Sequence, residues 1–267
     1  MGLHQSIIMT QPSSLPPTFI VGGATSGLGK AIALLLLEKG ANLIALGRST
    51  EALQQLYYNY PKQVTTICGD ITLPVTQNTV LDAIQNMYIA GICMNAGGPP
   101  AATINETTMQ DWDMAYQSVL RWKVAMVKAL LPQLENQQYG RLLFIESATV
   151  KQPMENLVLS TAFRLAVTGF VKTLSNEVAA KGITVNILAP GPHNTPAIER
   201  VFKKKQEQTG LDWQTIQQTE IEKIPVHKLG NAQQFAQLAI WLMSEDAGYI
   251  TGQTICVDGG MVKGVFG

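Results

Sequence analysis

The chain has 267 residues, 46% of them apolar, and its nineteen basic residues are offset by nineteen acidic ones. That is ample material for a globular core, and the charge balance gives no footing for nucleic-acid binding. The longest apolar run, Ala31 to Leu37, lies between Lys30 and Glu38 and is far too short to span a bilayer, which excludes a membrane segment of that kind.

The first 17 residues, ending in Ser-Ser-Leu-Pro-Pro, lack a basic segment followed by a long apolar stretch and read as a flexible leader. Strand-like runs then alternate with stretches of helical period. Thr18–Val21 reads as a strand, Leu28–Lys39 as a helix, Asn42–Leu46 as a strand and Glu51–Tyr58 as a helix. Val64–Cys68 follows as a strand, Val80–Met87 as a helix and Gly91–Met94 as a strand. An uninterrupted helix is expected over Met109–Glu135, then the strand Arg141–Ile145, the helix Leu159–Ala180 and the strand Thr184–Ala189. Two helices fall between Ala197 and Glu222, a last one at Ala232–Met243, and a last strand at Gln253–Val257. Repeated β-α-β order implies parallel strands with right-handed helical crossovers. The expected fold is α/β, a doubly wound parallel sheet of the Rossmann type, with residues 18–267 as one domain. Ligands of such sheets bind just past the carboxyl ends of the strands.

Cys68, Cys93 and Cys256 stand far apart in strand-like runs with no C-x-x-C pair, as expected of reduced thiols in a cytoplasmic protein. The run Lys203-Lys204-Lys205 reads as one solvated helix face.

Directly after the first strand comes Gly22-Gly23-Ala24-Thr25-Ser26-Gly27-Leu28-Gly29. Glycines let this backbone turn tightly and approach a ligand, and the following helix aims its N-terminal N–H groups at the same spot, as a pyrophosphate requires. The spacing Gly-x-x-x-Gly-x-Gly resembles the glycine loop of the short-chain dehydrogenase/reductase family. The resemblance extends along the chain: Asp70-Ile71 is similar to the family's adenine-contacting segment, and Asn95-Ala96-Gly97 to its N-A-G motif. Pro190-Gly191, with His193 and Thr195 just beyond, resembles the segment that meets the nicotinamide, and Val257-Asp258-Gly259-Gly260 the C-terminal V-D-G-G. Gly23, Thr25, Ser26, Gly27, Leu28 and Gly29 are therefore expected to hold a dinucleotide. At the end of the second strand an NAD enzyme carries an acid, whereas Arg48 and Ser49 here offer a guanidinium and a hydroxyl to a 2′-phosphate. NADP(H) is the expected cofactor.

The resemblance also implies a catalytic tetrad of Asn, Ser, Tyr and Lys. Aligned residue by residue, its positions hold Val119, Ser147, Ser160 and Arg164, the later helix matching without a gap through Gly169-Phe170-Val171-Lys172-Thr173-Leu174. A serine hydroxyl is far less acidic than a phenol, whose pKa is about 10, and a guanidinium cannot relay protons. Ser147, Ser160 and Arg164 remain the candidate catalytic residues, with Lys151 and His193 as further polar groups near the site. His227 reads as a surface residue. The pattern resembles a divergent subgroup of reductases labelled 3-oxoacyl-carrier-protein reductase-like. It implies an NADPH-dependent reduction of a small-molecule carbonyl, or the reverse oxidation of an alcohol. The alternative is a catalytically inactive NADP(H)-binding sensor or partner subunit. The resemblance further implies a homotetramer or dimer packed through the Met109–Glu135 and Leu159–Ala180 helices, and a substrate covered by Pro196–Glu222.

Overall fold

Every residue of Ile89–Met94 (β4) and Gly140–Ile145 (β5) is buried, as a parallel sheet covered on both faces demands. The computed structural model describes residues 16–85 and 87–265. It places seven strands in one sheet: Thr18–Val21 (β1), Asn42–Gly47 (β2), Val64–Cys68 (β3), β4, β5, Ile183–Pro190 (β6) and Thr254–Val257 (β7). Their spatial order is β3-β2-β1-β4-β5-β6-β7, and all pairs are parallel. The chain winds outward from β1 to β3 and returns to β4, so the switch point, where a ligand fits, lies between β1 and β4.

The helices complete two cores. On one face Gly27–Glu38 (α1), Thr50–Asn59 (α2) and Ala232–Leu242 (α9) pack Ile32, Leu36, Leu53 and Phe235 against Phe19, Val21 and Leu43. On the other, Pro74–Ala83 (α3), Trp122–Gln137 (α5) and Val158–Val178 (α6) pack Val80, Trp122, Met126, Val167 and Val171 against Ile20, Ile92 and Phe144. Pro196–Thr209 (α7) and Trp213–Glu222 (α8) follow β6, joined through an edge-on contact of Phe202 and Trp213.

Three expectations change. The third helix begins at Pro74, six residues before the expected Val80, because proline's fixed φ suits a first helical turn; it ends at Ala83, and residue 86 of the expected span lies outside the described residues. The helix expected over Met109–Glu135 is Met109–Ala115 (α4) and α5, separated by a π-helical turn at Tyr116–Arg121. An inserted residue of this kind has no signature in hydrophobic period, and such turns recur at functional sites. The leader lies outside the described residues as far as residue 15; Pro17, however, is tied to the sheet by the Asn42 backbone N–H, 2.9 Å from its carbonyl.

Candidate functional site

The loop between β1 and α1 is fixed from both sides. The Gly22 N–H bonds the Cys93 carbonyl of β4 at 3.0 Å, and the Ala24 N–H bonds the Leu46 carbonyl of β2 at 2.9 Å. Asn95 plugs the loop, its Nδ2 donating to the Gly22 carbonyl at 3.1 Å. Gly23 takes φ +64°, and a Cβ on Gly29 would lie 2.4 Å from the Gly23 carbonyl oxygen and 2.7 Å from Asn95 Nδ2. Side chains are excluded there by backbone, which leaves a cradle. Ser26 is the N-cap of α1 yet makes no side-chain capping bond, so the first-turn N–H groups, Leu28 among them, are available to an anion. Gly27 faces the Thr195 side chain, which brings the loop after β6 over the loop after β1.

At the far end, Arg48 is exposed just past β2, and Thr25 packs against Gly47 beside it. Ser49 does not keep a free hydroxyl: its Oγ accepts from the Ala52 N–H at 3.2 Å and donates to Glu51 Oε2 at 2.9 Å, capping α2. Arg48 is thus the exposed cation at this end of the cleft. The exposed Cys68 thiol lies 3.3 Å from Thr50 Oγ1 and 3.9 Å from the Arg48 carbonyl. Asp70 uses one oxygen to hold Thr72 through its N–H and hydroxyl at 2.9 and 2.8 Å, while Ile71 is buried in the core.

Past β4, Ala96 packs on the core and Gly97 opens to space. Past β6, Pro190 continues the pairing with β7, and the Gly191 N–H bonds the Val257 carbonyl at 3.0 Å. His193, expected to face a nicotinamide, turns its ring to Gly230 and edge-on to Phe235. Its Nδ1 lies 2.9 Å from the Gly191 carbonyl, an acceptor only, so the ring proton sits on Nδ1. What His193 offers a ligand is backbone. Burial holds its pKa below the ordinary 6.5. The unfolded chain takes up a proton near that value while the native ring resists, so stability falls as pH drops below about 6.5. In His193→Asn, which keeps a donor for Gly191, denaturant midpoints measured between pH 7 and 5 are expected to fall less steeply than in the parent.

The segment expected to cover the substrate touches the loop after β4 at one point. Lys204 of α7 donates to the Ala101 carbonyl of the loop after β4 at 3.1 Å. Lys205 pairs with Glu220 at 2.6 Å, and Glu220 also takes Lys223 at 2.7 Å, so the basic run is partly neutralised rather than simply solvated.

The tetrad positions converge on a group that motif alignment missed. Glu146 follows β5 directly, next to Ser147, and its side chain has no exposure to solvent. Its Oε1 holds the Lys123 ammonium, and its Oε2 accepts from Arg164 Nη1 at 2.9 Å. Arg164 Nε then donates to Ser160 Oγ at 3.1 Å. The remaining guanidinium nitrogen lies beside Gly98, where a Cβ would come within 2.8 Å of it. Arg164 therefore bridges α6, the end of β5 and the loop after β4. Val119 is buried in the π-helical turn, and Lys123 follows it by four residues. Burial pushes the Lys123 ammonium below the usual lysine range, with the Glu146 carboxylate pulling the other way. Ser147 Oγ accepts from the Thr149 N–H at 3.3 Å. Each site serine thus accepts one hydrogen bond and has its own proton to offer a ligand oxygen. Thr149 and Thr161, in the same two segments, bury hydroxyls without a partner among the described residues.

Lys123 and Glu146 left a trace in the sequence. A carboxylate closing the apolar run Leu142-Leu143-Phe144-Ile145 needs a buried partner. No tyrosine enters the cluster: Tyr116 is half exposed against Phe163, and Tyr139 stacks with Tyr88 and Arg141 at the start of β5. The Lys151 charge is felt by the Cys256 thiol of β7. No helix among the described residues is long and apolar enough to cross a membrane, and no group of three or more metal-ligating side chains occurs among them.

Residues 23–262 match the family model described as enoyl-(acyl carrier protein) reductase. A 3-oxoacyl-[acyl-carrier-protein] reductase of Haemophilus influenzae is 30% identical over 244 residues, covering 91% of this chain and 96% of that protein. An NADPH-dependent reductase of Bacillus subtilis is 26% identical, covering 93% and 98%. Among solved structures, L-sorbose reductase from Gluconobacter frateurii, complexed with NADPH and L-sorbose, superposes with a TM-score of 0.87 at 25% identity, over 94% of this chain and 98% of that one.

Proposed function

We propose, from the premise that this chain belongs to the short-chain dehydrogenase/reductase family, that it is an NADP(H)-dependent oxidoreductase which reduces a small-molecule carbonyl using non-standard polar groups. The observation that carries the reading is the dinucleotide cradle beside a polar cluster of Ser147, Ser160 and Arg164. The chain's residues fit the cofactor: Gly23, Gly27 and Gly29 leave room for a pyrophosphate, the first turn of α1 supplies N–H donors, and Arg48 meets a 2′-phosphate. The NADPH-dependent reductase of Bacillus subtilis and the NADPH-bound L-sorbose reductase support that choice. When bound, the cofactor supplies a hydride.

The chain's own groups position and polarise. Ser147 and Ser160 donate to the carbonyl oxygen, and Arg164 keeps a permanent positive charge behind Ser160 as negative charge develops. Neither serine is acidic enough to give up its proton, so water completes the alcohol. We further propose a homo-oligomer packed through α4, the π-helical turn, α5 and α6, where Met109, Met114, Tyr116 and Leu165 are exposed.

The deciding experiment follows NADPH absorbance with a panel of ketones and acyl thioesters. Turnover is expected, with kcat/KM lowered on the order of 100-fold in Ser147→Ala. NADPH binding without turnover on any substrate supports the non-catalytic alternative, which the absent phenol motivates. In Arg48→Ala the preference for NADPH over NADH is expected to fall by about tenfold or more, the scale of one charge-assisted contact. An unchanged ratio in a binding titration removes Arg48 from cofactor choice.

A further inference from the structure

We infer that Lys123, Glu146 and Arg164 form a buried cationic triad that makes the Ser160 hydroxyl a binding site for a delocalised oxyanion, the ionised hydroxyl of an enol or phenol. The inference rests on the reading above and names the substrate class of the same site.

Two cations share one carboxylate. Glu146 spends one oxygen on Lys123 and the other on Arg164, and it is the only carboxylate paired with either cation among the described residues. All three side chains are at least nine-tenths buried. With all three ionised, a net positive charge stands where water screens it poorly, and such a charge is costly until an anion approaches. The lowering of Lys123 by burial is the same tension, since a nearby anion would relieve it. The guanidinium offers a ligand no fork of two nitrogens. Arg164 Nη1 and Nε are committed to Glu146 and Ser160, which leaves Nη2, beside Gly98, and the Ser160 hydroxyl, so a carboxylate finds no bidentate guanidinium. One oxygen with spread charge fits better. A saturated alkoxide takes a proton from water at once, whereas the conjugate base of a phenol or enol, an acid with pKa of about 10, persists.

Arg164 and Ser160 touch the ligand; Lys123 and Glu146 are positioning residues that set the charge behind them. The test titrates the whole protein with 4-nitrophenol, whose phenolate is coloured, against 4-nitroanisole, which cannot ionise, and 4-nitrobenzoate, a carboxylate. At a pH where free 4-nitrophenol is mostly protonated, the bound probe is expected to show the phenolate absorption and at least tenfold tighter binding than either control. Ser160→Ala is expected to abolish that preference, Lys123→Met to reduce it severalfold, and Arg164→Lys to retain part of it. NADPH titration of each variant checks folding, since the glycine cradle is left intact. Equal binding of 4-nitroanisole or 4-nitrobenzoate, a bound probe without the phenolate band, or an undiminished preference in Ser160→Ala overturns the inference. Carbonyl turnover without phenolate preference overturns it alone, whereas failure to bind NADPH overturns the reading beneath it.

Discussion

Glu146→Gln is expected to cost about 3–5 kcal/mol of stability, the usual penalty for removing one partner from a buried ion pair. Lys123 and Arg164 would then share a neutral amide, with neither close to bulk water. Thermal unfolding should shift downward on the order of 10 °C for a chain of this size. Lys123 can relieve part of that cost by shedding its proton. Its folded pKa is already below the unfolded value, so the unfolded state binds more protons and stability rises with pH through that window. The loss in Glu146→Gln should therefore shrink as pH rises toward the ordinary lysine range. A triple replacement, Lys123→Met with Glu146→Leu and Arg164→Met, should recover most of the stability, because a well-packed apolar cluster often equals a buried ion triad. A Glu146→Gln protein that melts within 2 °C of the parent at neutral pH would show that the triad does not hold the site together.

In Gly29→Ala, NADPH affinity is expected to fall on the order of 100-fold or more, with far-UV circular dichroism unchanged. The added methyl would meet the Gly23 and Gly22 carbonyl oxygens at 2.4 and 2.8 Å and Asn95 Nδ2 at 2.7 Å. Two of these are backbone, so the loop itself must move. The first turn of α1 would then be displaced from where the proposed cofactor's pyrophosphate would sit. Isothermal titration decides the matter: affinity within threefold of the parent would mean that the loop yields without loss.

Most of the sheet was legible because its strands carry short apolar runs that alternate with stretches of helical period; Thr18–Val21 and Asn42–Leu46 emerged within a residue of their bounds. Strand ends then located the site, since Asn95 and Gly191 follow a strand directly and Ser147 stands two residues past one. What stayed hidden depends on three dimensions. The π-helical turn at Val119 keeps the hydrophobic pattern of a plain helix. The partnership of Lys123 with Glu146 joins residues 23 apart through burial that spacing cannot reveal. His193 sat in the right segment, but its ring orientation follows from Gly230, 37 residues later, where the missing side chain gives it room.

Two of the three thiols, Cys68 and Cys93, divide the molecule into a reporter and a silent reference. Cys93 lies in β4 with its pKa pushed up to about 12 by burial, so alkylating reagents reach it only through unfolding. Cys68 is exposed and shares its neighbourhood with the Arg48 backbone. Occupancy of the phosphate end is therefore expected to slow alkylation of Cys68 while leaving Cys93 untouched, a contrast that peptide mass mapping reads from one sample. The same adjacency makes dinucleotide affinity sensitive to oxidation of Cys68, because an added oxygen or mixed disulfide would project beside the arginine.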